Sequence, residues 1–73
     1  MTKKSLHIEL RMLKEKLKKV ETVSEFVTLS LAGNSITAAI YEKGHSKTDL
    51  KLILSWELQK EKVRDQFRKK LAA

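Results

Sequence analysis

The chain has 73 residues and carries 16 Lys and Arg against 9 Asp and Glu, a formal net charge of +7, with no cysteine. This length allows one small domain and excludes a catalytic domain joined to a regulatory one. The absence of cysteine excludes disulfides, and so short a chain has a thin core, so we expect a second copy to complete the fold as a homodimer.

The sequence predicts a soluble, cytoplasmic protein that does not engage a membrane. Its most apolar run, residues 50–56, is far shorter than the roughly 20 residues that a membrane span needs. At the N-terminus, Lys3 and Lys4 are followed by further charged residues and not by the apolar segment of a secretory signal.

The first predicted element is a helix over about residues 5–21. Five apolar residues recur there at spacings of four and three: Leu6, Leu10, Leu13, Leu17 and Val20. This spacing is typical of one buried helical face. Ile8 and Met12 fall on the opposite side of the same helix and provide a second contact surface.

The second predicted element is a β-hairpin over about residues 26–41. Apolar residues alternate there with Thr, Ser and Ala, and Gly33-Asn34 fits a two-residue turn. Folding at that turn places six apolar residues on one face: Val27, Leu29, Leu31, Ile36, Ala38 and Ile40. The two helices are expected to cover this face.

The third predicted element is a helix over about residues 47–71. The run Ser46-Lys47-Thr48-Asp49 resembles a capping box with Asp at its last position. Trp56, Val63 and Phe67 continue an apolar side along the helix. The predicted fold class is therefore α+β, in the order helix, β-hairpin, helix (αββα), with sheet edges that pair across a homodimer.

Two DNA-binding folds offer alternative interpretations. Residues 3–10 alternate in a way that resembles the strand of a ribbon-helix-helix repressor, and residues 24–27 resemble the start of that family's second helix. Only about a dozen residues separate the two segments, which is short for the helix and turn between them. A helix-turn-helix with residues 34–42 as the recognition helix is the other alternative.

Clustered cations carry the functional prediction. Lys4, Arg11, Lys14 and Lys18 fall within about 80° of one another on the first helix. The C-terminal Arg68, Lys69 and Lys70 form a second basic group. We expect these seven residues to contact phosphates of a nucleic acid, with DNA favoured over RNA and with weak sequence specificity, as in a small regulator or accessory protein of a mobile element or phage. The alternative is a solvated face in which Glu15 pairs with Lys19.

Nothing in the sequence supports an enzyme, a cofactor or a metal site. Glu57, Glu61 and Asp65 form an acidic row, but a cation lies three residues after each of them, which predicts ion pairs. His7 and His45 have no neighbour at a ligand or catalytic spacing. The alternative function is also non-enzymatic: a protein-binding adaptor or inhibitor that docks on an acidic partner through Ile8, Met12 and the basic surface.

Overall fold

A computed structural model describes residues 2–72 and shows three α-helices in that part of the chain: α1 (Lys3–Leu17), α2 (Val23–Lys43) and α3 (Lys47–Ala72). All three pairs of helices contact one another, which makes a three-helix bundle. α1 runs parallel to α3, since Lys3 and Lys14 contact Asp49 and Ser55 in the same order. α2 is antiparallel to both.

The core lies along the axis of the bundle. Eight buried apolar side chains form it: Leu6, Leu10, Leu17, Ile36, Ile40, Leu52, Trp56 and Val63. Trp56 is the largest of the fully buried side chains. At one end of the bundle, Phe26 of α2 packs against Phe67 of α3 with ring centroids 5.9 Å apart.

The predicted β-hairpin over residues 26–41, and with it the α+β fold class, is wrong. This segment lies inside the single helix α2, and residues 2–72 contain no strand. The reason is that the alternating pattern hides a helical one, because Phe26, Leu29, Gly33, Ile36 and Ile40 recur at spacings of three and four. The tertiary fold buries this helical set, either partly or fully, and leaves Val27 and Leu31 exposed.

Local hydrogen bonds explain why a segment rich in Ser and Thr is helical. The Thr22 hydroxyl caps α2 by accepting a bond from the Glu25 N–H at 3.1 Å. Within the helix, the hydroxyls of Thr28 and Ser35 donate to backbone carbonyls four residues earlier. These side chains therefore find partners on the helix itself.

Gly33 serves a close helix contact and not a turn. Its φ is not positive, and a Cβ atom at this position would lie 1.9 Å from a ring carbon of Trp56. Only a residue without a side chain allows α2 and the indole to approach this closely. The dipeptide Gly33-Asn34 is thus the point where α2 packs against α3.

The two flanking helices lie near their predicted positions. α3, expected over about residues 47–71, is observed at Lys47–Ala72, and α1, expected over about 5–21, is observed at Lys3–Leu17. The capping box is confirmed, since Ser46 and Asp49 each accept a 3.1 Å bond from the other's backbone N–H.

The alternative folds also differ from the structure. Residues 3–10 are helical, so the strand of a ribbon-helix-helix protein is absent there. Residues 34–42 continue α2 and do not form a separate recognition helix. Because residues 2–72 contain no strand, a dimer built by sheet edges has no basis in this part of the chain.

α2 also differs from the expectation on apolar runs. By length and composition alone, Val23–Lys43 is long and apolar enough to cross a membrane, so the longest apolar stretch is this helix and not residues 50–56. The core helix of a soluble protein passes the same test, so this feature carries no assignment of location.

Candidate nucleic-acid interface

A basic concave surface lies between α1 and α3. It has a volume of about 330 Å³ and is lined by seven residues: Lys14, Lys51, Leu54, Ser55, Leu58, Gln59 and Lys62. Three of the seven are lysines and none is acidic. In a three-helix bundle this surface, the α1–α3 groove, lies on the side away from α2.

Lys14 is held in the groove by the opposite helix. Its ammonium donates a hydrogen bond to the Ser55 hydroxyl, and its side chain is half-buried. Arg11 and Lys18 lie one turn before and one turn after Lys14 on α1, and both are exposed. Of the four predicted α1 cations, Lys14 lines the groove, and Arg11 and Lys18 lie one turn away from it along the chain. Lys4 is exposed near the start of α1 and extends the same row.

Lys18 is partly neutralised by an ion pair. Its ammonium lies 3.0 Å from a carboxylate oxygen of Glu15, and this contact holds the pKa of Glu15 below its usual value. The predicted pair between Glu15 and Lys19 is wrong, because Glu15 pairs instead with Lys18, three residues after it. Of the predicted α1 cations, Arg11 and Lys14 are thus the better placed for an external anion.

Lys51 and Lys62 were not among the predicted site residues. They lie 11 residues apart on α3, which is close to three full turns and puts them on the same side of the helix. A helical projection of α3 shows this alignment. Their position beside α1 depends on how the two helices pack.

The C-terminal cations lie beyond the groove. Arg68 is 3.8 Å from Asp65, and the Lys70 ammonium lies 5.8 Å from the centre of the Phe67 ring. Lys69 is exposed and lies two turns after Lys62, on the same side of α3. Of the three predicted residues at this end, only Lys69 continues the line of groove lysines.

The acidic row on α3 largely forms the predicted ion pairs. Glu57 lies 3.1 Å from Lys60, and Asp65 pairs with Arg68. Glu61 and Arg64 make no ion pair within the described part of the chain. Among residues 2–72 there is no group of three His, Asp or Glu side chains that could hold a metal ion.

A buried acid joins the beginnings of α1 and α3. Asp49 is 1% exposed, and its carboxylate accepts bonds from Lys3 and His7, each at 2.7 Å, and from the Ser46 N–H at 3.1 Å. The Lys3 contact is the largest cause of a pKa for Asp49 far below its usual value. The partner of His7 lies 42 residues away in the chain, so sequence spacing did not reveal it. The cluster holds the beginnings of α1 and α3 together.

Exposed apolar side chains lie inside the groove as well as outside it. Leu54 and Leu58 are 58% and 56% exposed between the groove lysines. Ile8 and Met12, the predicted second contact surface, are exposed on α1 but do not line the groove. The lining of the groove therefore combines exposed leucines with lysines.

Comparison of the chain with protein-family models, with curated proteins and with solved structures finds no match.

Proposed function

We propose that this protein is a non-enzymatic nucleic-acid-binding protein that uses the α1–α3 groove to contact the phosphate backbone. The observation that carries the proposal is the convergence of Lys14, Lys51 and Lys62 from two helices on one concave surface without a lining acid. Three lysines in one groove of a chain with net charge +7 favour a polyanion as the ligand.

The length of the groove suits a phosphate backbone. The 11-residue separation of Lys51 and Lys62 corresponds to about 16 Å along α3. A DNA duplex carries roughly ten phosphates over that distance. Arg11 and Lys69 extend the same positive surface at its edges.

Weak sequence specificity follows from the side chains in the groove. Ser55 and Gln59 are its only uncharged polar lining residues. Contacts to phosphates position a protein on nucleic acid but do not read bases. We therefore expect similar affinities for duplexes of different sequence, with DNA bound more tightly than single-stranded RNA.

The test compares two double variants of equal net charge. Lys51→Gln/Lys62→Gln removes two groove lysines, and Lys43→Gln/Lys47→Gln removes two exposed lysines near the α2–α3 connection. Binding to labelled duplex DNA and single-stranded RNA is followed by fluorescence anisotropy at several salt concentrations. The groove variant should bind DNA more weakly, with a log–log salt slope smaller by about two.

The control variant should keep nearly the wild-type salt slope. Equal losses in both variants would show a response to net charge alone and would contradict the proposal. Absence of wild-type binding at low salt would also contradict it.

The exposed Leu54 and Leu58 favour a second candidate, an acidic protein segment docked in the same groove. Such a segment would bury the leucines and pair with the lysines around them. Leu58→Ser separates the two candidates, because it removes apolar contact and leaves the lysines unchanged. It should barely change DNA binding, whereas it should weaken a peptide complex that persists at high salt.

A further inference from the structure

The outward side of α2 is unlike the rest of the molecular surface. Residues 26–41 contain no charged residue, although 34% of the whole chain is charged. Within this region, the side of α2 that faces away from the core carries Val27, Leu31, Ser35 and Ala38, all exposed. Together with Val23 at the start of α2, these four residues are named the outer face of α2.

The outer face of α2 has two unequal halves. Its first half carries Val23, Val27 and Leu31 at spacings of four, so their side chains form one apolar row. Leu31 is 64% exposed in the free molecule. Its second half carries the small residues Ser35 and Ala38, and the exposed Tyr41 follows near the end of the helix, in line with Val23.

We propose that the outer face of α2 is a homodimer interface in which two copies of α2 pack antiparallel about a two-fold axis. α2 covers Val23–Lys43, so the axis passes near its midpoint at Gly33. In this arrangement Val27 faces Ala38 or Ala39 of the second copy, and Leu31 faces Ser35. Val27 and Leu31 then each meet a small side chain, which is the self-complementarity that a two-fold interface requires.

The reverse orientation fits the same residues poorly. In a parallel pair about a central axis, Leu31 would meet Leu31, and Ala38 would meet Ala38. The first contact would hold the helices apart, and the second would leave a gap. The antiparallel pair also aligns the two helix dipoles favourably.

Charge indicates a second copy as the occupant. Each copy has a net charge of +7, so two copies repel each other across most of their surface, and the outer face of α2 is an exception. Glu42, three turns after Leu31, is exposed on nearly the same side of α2. In the antiparallel pair it lies near the first turn of the second copy's α2, where the dipole favours a carboxylate.

A lipid surface fits these residues less well. Helices that lie on anionic membranes carry Lys and Arg beside their apolar face. The charged residues in α2 are Glu25, Glu42 and Lys43, two of which are acidic. Phospholipid headgroups would therefore meet net negative charge at the ends of this helix.

The size of the outer face is adequate for a dimer. A biological interface buries at least about 1,000 Å² in total, or about 500 Å² from each copy. That is about a tenth of the 5208 Å² surface of the chain. α2 has 21 residues and is about 32 Å long, so contact along one side covers an area of this order.

The first test is the mass of the protein in solution. Sedimentation equilibrium at about 50 μM should give a dimer for the wild-type chain. Leu31→Lys should give a monomer with unchanged helix content by circular dichroism. Leu58→Lys adds the same charge at an exposed leucine on α3 and should remain a dimer.

Three results would overturn the proposal: a monomeric wild-type chain, dissociation by Leu58→Lys together with an intact Leu31→Lys dimer, or dissociation by neither variant. A vesicle flotation assay tests the lipid alternative, with vesicles of phosphatidylserine and phosphatidylcholine. If the wild-type chain is monomeric and floats with the vesicles, and Leu31→Lys does not float, the outer face of α2 binds lipid.

Cross-linking tests the antiparallel geometry. The chain contains no cysteine, so single cysteines can be introduced at Val27→Cys and Ala38→Cys. A mixture of the two variants, oxidised at equilibrium, should give mainly the mixed 27–38 disulfide. Dominant 27–27 and 38–38 dimers would show a parallel pair and would overturn this orientation.

Discussion

Two polar clusters hold the helices together, and they differ in burial and in chemistry. Asp49 is buried itself, whereas Asn34 is exposed and its partners Trp56 and Lys60 are buried. At the beginning of the bundle, Asp49 is a charged acceptor that joins α3 to Lys3 and His7 of α1. Near the middle, the amide oxygen of Asn34 on α2 is a neutral acceptor. It takes bonds from the Trp56 indole N–H at 3.1 Å and from the Lys60 ammonium at 2.7 Å.

The difference shows two ways to satisfy a buried polar group. The bonds that Asp49 accepts depend on the ionisation of its carboxylate, and Lys3, together with the bonds from Ser46 and His7, keeps the carboxylate ionised. The amide of Asn34 has no charge to lose, and its bonds depend on the close packing of Trp56 on Gly33. We therefore expect the stability contributed by the Asp49 cluster to depend on pH. The stability contributed by the Asn34 cluster should depend on substitutions that alter its packing or remove its hydrogen-bond partners.

The largest effect is expected from Gly33→Ala, which breaks the packing that supports the Asn34 cluster. The added Cβ overlaps the Trp56 ring, and such overpacking should lower the free energy of unfolding by about 3 kcal/mol. Urea unfolding at a fixed protein concentration measures the loss. In a Trp56→Leu background the same change should cost much less, because the ring is gone; an undiminished cost would contradict the packing explanation.

A smaller effect is expected from Asn34→Ala. It leaves the Trp56 N–H and the buried Lys60 without their shared acceptor, which should cost about 2 kcal/mol of unfolding free energy. The matched control is Thr28→Ala, an exposed hydroxyl of α2 outside the outer face, which should change stability by less than about 0.5 kcal/mol. Equal losses in the two variants would show that the Asn34 bonds contribute little.

Lys60→Met should cost less than Asn34→Ala, about 1 kcal/mol or below. The methionine keeps the apolar stem in the core and removes the charge that needs solvation, whereas Asn34→Ala keeps the charge and removes one of its two partners. Urea unfolding of the two variants under identical conditions gives the comparison. A larger loss for Lys60→Met would mean that the cation itself stabilises the bundle through Glu57 and Asn34.

The Asp49 cluster should be the one that depends on pH. Lys3, and then bonds from Ser46 and His7, hold the pKa of folded Asp49 below that of the unfolded chain, which is about 3.9. Its stabilisation is therefore complete above that value and is lost as pH falls through the folded pKa. Urea midpoints between pH 7 and pH 3 should fall more for wild type than for Asp49→Asn.

At the acid end of that range, the difference in unfolding free energy between wild type and Asp49→Asn should be the smallest of the four effects. It should fall below the losses expected for Gly33→Ala, Asn34→Ala and Lys60→Met. Asp65→Asn is the control, because Asp65 is an exposed acid with a long 3.8 Å contact to Arg68. It should follow the wild-type pH profile. A wild-type profile as flat as that of Asp49→Asn would contradict the role of the buried carboxylate.

The error over α2 shows where sequence patterns become ambiguous. Leu29, Ile36 and Ile40 belong both to an alternating set and to a set with helical spacing. The residues before them hold a clearer signal, since Thr22 and Glu25 have the spacing of a helix start. The absence of charge between residues 26 and 41 removed the polar stripe that normally marks the exposed side of a helix.

The candidate groove was only partly predictable. The α1 cations follow from helical spacing alone, so Arg11 and Lys14 were found. Lys51 and Lys62 belong to the groove because α3 lies beside α1. Local sequence patterns do not show which helices are neighbours, so these two lysines were not predicted.

Local sequence therefore determined α1 and α3, their caps and the basic side of α1, because these features depend on residues within one or two turns of each other. The packing of the bundle decided that Gly33 contacts Trp56, that Asn34 binds Lys60, and that Asp49 meets His7, which lies 42 residues away in the chain. Such contacts form only when whole helices are brought together, and burial then selects between patterns that local spacing leaves equal.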